Sequence, residues 1–95
     1  PTLADSLGGG VGMANRLTFP MVRDLMDELI LLTEDEIAAG LRHLAAEGQV
    51  VEGAAAVGAG AVLAGKLRGP HPLVLILSGA NIDPARHAAL MEAIA

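Results

Sequence analysis

An α/β fold, with parallel strands covered by helices, is predicted by three features of this 95-residue chain. The first is the unbroken run Leu73-Val74-Leu75-Ile76-Leu77, read as a strand buried on both faces, as in parallel sheets covered by helices. It closes on Ser78-Gly79-Ala80-Asn81, and α/β sheets hold their ligands at the carboxyl ends of strands. The second is a shorter apolar run, 28–32, followed by Thr33-Glu34-Asp35-Glu36, a capping box in which a hydroxyl and a carboxylate three residues later satisfy each other's backbone amides. The third is the segment 53–67, built mostly of Ala, Gly and Val. Interior glycines cost a helix about 1 kcal/mol each against Ala, so such a helix is expected where it is buried and a neighbour must come close.

The elements follow in order. Residues 1–15 are loop-like, with glycines from Gly8 to Gly12. This cluster lacks the preceding strand and the Lys-Ser/Thr tail of a nucleotide-binding loop, and is expected to flank an active site instead. Residues 17–27 suit a helix with Leu17, Met21 and Leu25 on one side and Pro20 in the first turn. After the strand 28–32, a helix runs from the capping box to about Glu47, with Gly48 as its C-cap. Gln49-Val50-Val51 is a link, and the helix 53–67 and a turn at 68–72 lead into the strand 73–77. Asp83 as N-cap and Pro84 in the first turn open a last helix, 84–94. Two strands do not make a sheet that needs so many helices, so the remaining strands are expected from chain upstream or from a partner, with Pro1 a truncation point.

Composition narrows the function classes. The formal net charge of −5, six scattered basic residues and a single aromatic, Phe19, argue against a nucleic-acid surface. No apolar stretch approaches the roughly 18 residues of a membrane span, no signal-peptide pattern is present, and a cytoplasmic location is the default. The absence of Cys excludes thiolate metal sites, and His43, His71 and His87 share no ligand spacing, so no metal site is expected. Glu34, Asp35 and Glu36 read as a solvated helix start, and the sole lysine, Lys66, as a solvated charge at a helix end.

Five segments carry a resemblance when taken in order: Thr2-Leu-Ala-Asp-Ser6, Thr18 to Asp27, Leu32 to Ile37, Val51-Glu-Gly-Ala-Ala-Ala-Val57 and Leu77-Ser-Gly-Ala-Asn-Ile-Asp83. Together they resemble the C-terminal third of a serine/threonine dehydratase-like enzyme of the pyridoxal-phosphate fold type II group, which includes tryptophan synthase β and serine racemase. The resemblance implies that the chain is the C-terminal portion of a three-layer αβα large domain with a parallel sheet. It implies pyridoxal 5'-phosphate as cofactor, with Ser78 hydrogen-bonded to the pyridine nitrogen, Gly79 in the same turn, Glu52 near the ring, and the Ala4-Asp5-Ser6 segment passing cofactor and substrate, Asp5 on the substrate side. The Schiff-base lysine, the contact to the ring hydroxyl and the glycine-rich phosphate cradle are expected upstream, so no catalytic residue is assigned here and the chain alone is expected to be inactive.

Two positions depart from the family pattern: Ala80 stands for the second Gly of the Ser-Gly-Gly-Asn motif, and Ser6 for the usual Gly of Ala-Asp-Gly. A neutral hydroxyl at the ring nitrogen, unlike a carboxylate, does not force the pyridine to stay protonated. The resemblance therefore implies β-elimination from a small hydroxy amino acid such as threonine or serine, giving a 2-oxo acid and ammonia. The expected partners are the upstream part of the same enzyme, the amino-acid substrate and, by family precedent, a second copy in a homodimer. The alternatives are a racemase or specialised dehydratase of the same family, or a non-catalytic α/β binding module.

Overall fold

The computed structural model describes residues 1–10 and 12–92. Among the described residues, four α-helices carry the fold: α1 (Thr18–Leu25), α2 (Glu34–Ala46), α3 (Val57–Leu63) and α4 (Pro84–Glu92). Two 3-10 turns, Asp5–Leu7 and Gly53–Ala56, precede α1 and α3. The expected helix 53–67 is thus a 3-10 turn running into a shorter α-helix, ended by Gly65 in the left-handed region (φ 73°). The expected end of the last helix, at 94, lies outside the described residues.

The capping box forms as the sequence predicts. Thr33 Oγ1 accepts the Glu36 amide (3.2 Å), and Glu36 Oε1 accepts the Thr33 amide (2.7 Å). At the far end of α2, Glu47 is the C-cap and Gly48 follows with φ 85°. The Gly48 and Gln49 amides close onto the carbonyls of Ala45 (3.0 Å) and Leu44 (2.8 Å), which stops the helix one residue from the expected cap.

The centre of the fold is the crossing of α2 and α3. A Cβ on Gly40 would lie 2.6 Å from the Ala56 carbonyl oxygen, and one on Gly60 would lie 2.6 Å from that of Glu36. Backbone meets backbone here, which is why a helix this rich in glycine is tolerated. Around the crossing, Leu41, Val51, Ala55 and Ala56 form a small buried core, with Leu3, Leu44, Leu90 and Met91 packed against it.

The two expected strands are not strands among the described residues. Segments 28–32 and 73–77 are extended but carry no ladder. A strand is defined by its neighbour's hydrogen bonds, and among the described residues the second segment is followed by one long-range backbone bond, from the Glu52 amide to the Gly79 carbonyl (3.2 Å). Nor is the run 73–77 buried on both faces. Leu73 and Leu75 are half-buried, Leu75 resting on Gly58 of α3, whereas Val74 and Ile76 are 85% and 80% exposed. Segment 28–32 alternates likewise: Ile30 and Leu32 face inward, Leu32 towards Gly60, while Leu29 and Leu31 are exposed. One helical layer thus covers one face of each extended segment.

Helix α1 is two residues shorter at its end than the predicted 17–27, and its apolar side is uncovered: Leu17, Met21 and Leu25 are all exposed. It is held locally. Asn15 Oδ1 accepts the Phe19 amide (2.7 Å), and the Arg23 guanidinium lies 5.9 Å from the Phe19 ring centroid. No helix among the described residues is long and apolar enough to cross a membrane.

Two expectations about charges are incomplete. Lys66 is exposed just beyond the end of α3, as expected, but its Nζ also donates to Glu36 Oε1 (2.7 Å) and to the Leu31 carbonyl (2.9 Å), tying the end of α3 to the start of α2 and to segment 28–32. Glu34 and Glu36 are likewise engaged rather than merely solvated. Glu36 serves both cap and lysine, and Glu34 clamps the N-terminal segment, accepting the Thr2 hydroxyl (2.7 Å) and the Leu3 amide (2.6 Å).

The clamp gives a pH dependence. The Thr2 hydroxyl, then the Leu3 amide, hold the Glu34 carboxyl below its usual value of 4.5, and Lys66, then the Thr33 amide, do the same for Glu36. A carboxyl depressed in the folded state stabilises that state above its unfolded pKa and loses this contribution as pH falls through the folded value. Amide exchange of Leu3 is therefore expected to accelerate, beyond its intrinsic pH trend, only below about pH 4.5. In Glu34→Gln the step should vanish, and a step that persisted would remove Glu34 from this role.

Candidate functional site

The clamp at Glu34 sets the path of residues 2–7. It carries Leu3 over the start of the 3-10 turn 53–56, where a Cβ on Gly53 would overlap the Leu3 carbonyl. Ala4 is buried at this contact, and the chain turns so that Ser6 faces Glu52. The Ser6 hydroxyl donates to Glu52 Oε2 at 2.9 Å.

Glu52, half-buried, is the hub. Its Oε1 accepts the Asn81 amide at 3.4 Å, and its own amide donates to the Gly79 carbonyl at 3.2 Å. A Cβ on Gly79 would overlap the Glu52 carboxylate, so that side chain rests directly against the turn and would have to swing aside for any larger residue there. The carboxylate thereby links the segment 2–7 to the turn 78–81, two stretches more than 70 residues apart in sequence.

Of the residues expected at the site, Ser6, Glu52 and Gly79 meet directly. Asp5 and Glu52 share a cleft of about 150 Å³ with Leu41, Asn81, Asp83 and Arg86. Ser78 lies next to Gly79 but does not line this cleft; it is exposed, and its hydroxyl takes no hydrogen bond among the described residues. The cleft is smaller than the roughly 300 Å³ at which ordinary small-molecule pockets begin. Among the described residues no three of His, Asp and Glu are gathered so as to hold a metal ion.

Sequence reasoning missed Glu34, Asn81 and Arg86. Asn81 was legible as part of the turn, but its amide's partner lies 29 residues away. Glu34 carries a helix-start signature that masks its second task, and no local pattern marks Arg86.

The sequence matches the family described as "Pyridoxal-phosphate dependent enzyme" over residues 1–79. The chain belongs to that family. Membership makes pyridoxal phosphate the family cofactor and implies the type II fold of pyridoxal-phosphate enzymes. Its relatives include a Sinorhizobium fredii protein named "Putative threonine dehydratase", 50% identical over 98% of this chain and 29% of the relative. The L-threonine dehydratase catabolic TdcB of Escherichia coli K12 is 42% identical over 90% of this chain and 26% of its own length. That of Staphylococcus aureus USA300 is 33% identical over 96% and 27%. The chain therefore spans less than a third of the curated relatives it matches, at the C-terminal part of each. No solved structure matches.

The residues present suit one edge of this cofactor. A hydroxyl with no internal partner, exposed on a turn that Glu52 and a glycine fix, is a suitable neutral partner for a ring nitrogen. The family's lysine is another matter. The only lysine of this chain is committed to Glu36 and Leu31, so it is not offered to the cofactor.

Proposed function

We propose that this chain is the C-terminal segment of the large domain of a pyridoxal-phosphate-dependent ammonia-lyase. The enzyme would convert a small hydroxy amino acid, threonine or serine, to a 2-oxo acid and ammonia. The observation that carries the reading is the junction at Glu52, which joins the Ala4-Asp5-Ser6 segment to the Ser78 turn in a chain whose relatives bear threonine dehydratase names. In this reading the exposed outer faces of 28–32 and 73–77 belong to a parallel sheet completed by residues outside this chain, giving the three-layer αβα arrangement. The whole enzyme is proposed as a homodimer.

Pyridoxal phosphate, when bound, supplies an electron sink for the charge that develops at the substrate's α-carbon. The protein's part follows from its own groups. Ser78 would hold the ring nitrogen through a neutral hydroxyl, which does not impose a full positive charge there, and Gly79 would let the backbone come close to the ring edge. Glu52 and Ser6 would support this turn from beside the ring edge, and Asp5 would face the substrate side of the cleft.

The test joins the upstream part of the Sinorhizobium fredii relative to Pro1 of this chain. Purified with pyridoxal phosphate, the fusion is expected to release ammonia and 2-oxobutanoate from L-threonine, or pyruvate from L-serine. A fusion that binds the cofactor yet yields only the D-amino acid would replace the lyase reading with a racemase. A folded fusion that binds no cofactor would end both.

A further inference from the structure

Ser6 and Glu52 also have a contact pattern that a simple ring-facing role does not require. Each carboxylate oxygen of Glu52 is engaged by protein, Oε2 by the Ser6 hydroxyl (2.9 Å) and Oε1 by the Asn81 amide (3.4 Å). The Glu52 amide is tied to the Gly79 carbonyl, and the carboxylate rests where a Cβ on Gly79 would stand. Every one of these ties reaches a residue of the turn that carries Ser78, or the segment that Glu34 clamps from outside. Ser78 itself has no tie of its own among the described residues.

The geometry points to Ser6 as a positioning residue: its hydroxyl fixes the Glu52 carboxylate, and Glu52 in turn holds the Ser78 turn in place, so that the segment 2–7 sets where the Ser78 hydroxyl stands. Glu52 acts here through the turn rather than by touching the ring. A glycine at position 6 has no side-chain donor to give, so the device depends on the serine that this chain has there. With the hydroxyl removed, Oε2 loses its donor and the carboxylate keeps only the longer bond to Asn81, so the turn should open more often. The inference rests on the proposed role of Ser78 for its functional meaning, but the latch itself is a property of the protein without cofactor.

Hydrogen exchange of the full-length polypeptide that carries this chain, read first without cofactor, tests the latch. Ser6→Ala is expected to speed exchange of the 78–82 peptide about fivefold, the loss of one hydrogen bond to a charged group at a partly exposed site. The α2 peptide 37–46 should be unchanged, and Ser6→Thr, which keeps the hydroxyl, should exchange as the parent does. Unchanged exchange in Ser6→Ala, equal acceleration in Ser6→Thr, or acceleration spread equally to α2 would each overturn the inference.

Pyridoxal phosphate is then added. Ser6→Ala is expected to shift the absorbance and emission of the bound cofactor and weaken its binding several-fold, with Ser6→Thr restoring both. A parent protein that binds no cofactor while the exchange pattern holds would overturn the proposed function and leave the latch standing.

Discussion

Gly40→Ala is expected to destabilise the protein by about 2 kcal/mol or more, although alanine is the better helix former. Two effects compete. The substitution gains about 1 kcal/mol of helix propensity. Against it, the new methyl would stand 2.6 Å from the Ala56 carbonyl oxygen and 2.7 Å from the Gly60 nitrogen. Both are backbone atoms of the crossing helix, which can yield only if α2 and α3 separate. Overpacking of this kind costs about 1–3 kcal/mol and more where the neighbour is rigid, so the clash wins. Gly60→Ala meets the Glu36 carbonyl in the same way and should behave alike.

Gly58→Ala is the informative contrast. Its nearest neighbour is the Leu75 Cδ2 atom at 3.1 Å, the far end of a side chain that can rotate away, so the propensity gain should survive. Denaturant midpoints of the full-length polypeptide and the three variants decide the matter. A Gly40→Ala protein as stable as its parent would mean that the crossing is looser than the backbone contact implies.

Ser78→Ala is expected to fold normally and to lose function. The side chain is exposed and holds nothing else in the chain, so stability should change by no more than about 0.5 kcal/mol. In the proposed enzyme, however, the ring nitrogen would be left facing a methyl group in a closed site. An unsatisfied polar atom there costs about 1–3 kcal/mol, which corresponds to a fall of about 5- to 150-fold in cofactor affinity or kcat/KM. Cofactor titration beside steady-state kinetics separates the two. Unchanged affinity together with unchanged kcat/KM would remove Ser78 from the cofactor's neighbourhood and with it the main support for the proposed chemistry.

What the sequence made legible is local chemistry. The capping box at Thr33, the glycine stop at Gly48 and the demand of the Gly-rich helix for close approach each follow from residues within a few positions of one another, and each is present. The strands at 28–32 and 73–77 were not obtained, because pairing is a relation between segments and no partner segment lies among the described residues. Leu73 and Leu75 face inward while Val74 and Ile76 face outward, the period-two alternation of an extended chain lying on one layer. For the site, the family resemblance pointed to Ser6, Glu52 and Gly79, but not to the hub that Glu52 forms among them. Ties such as Thr2 to Glu34 and Lys66 to Glu36 join positions about thirty apart, and no short window of sequence contains both ends.

The outward rows of Leu29, Leu31, Val74 and Ile76 also make this chain a colloidal problem when it stands by itself. Each is an extended, apolar and unpaired edge, the kind of surface on which identical chains add to one another. The net charge of −5 keeps copies apart in dilute buffer, but salt shortens the reach of that repulsion to about 8 Å at physiological ionic strength. The isolated chain should thus become less soluble as salt is added, whereas a polypeptide that covers those rows should not.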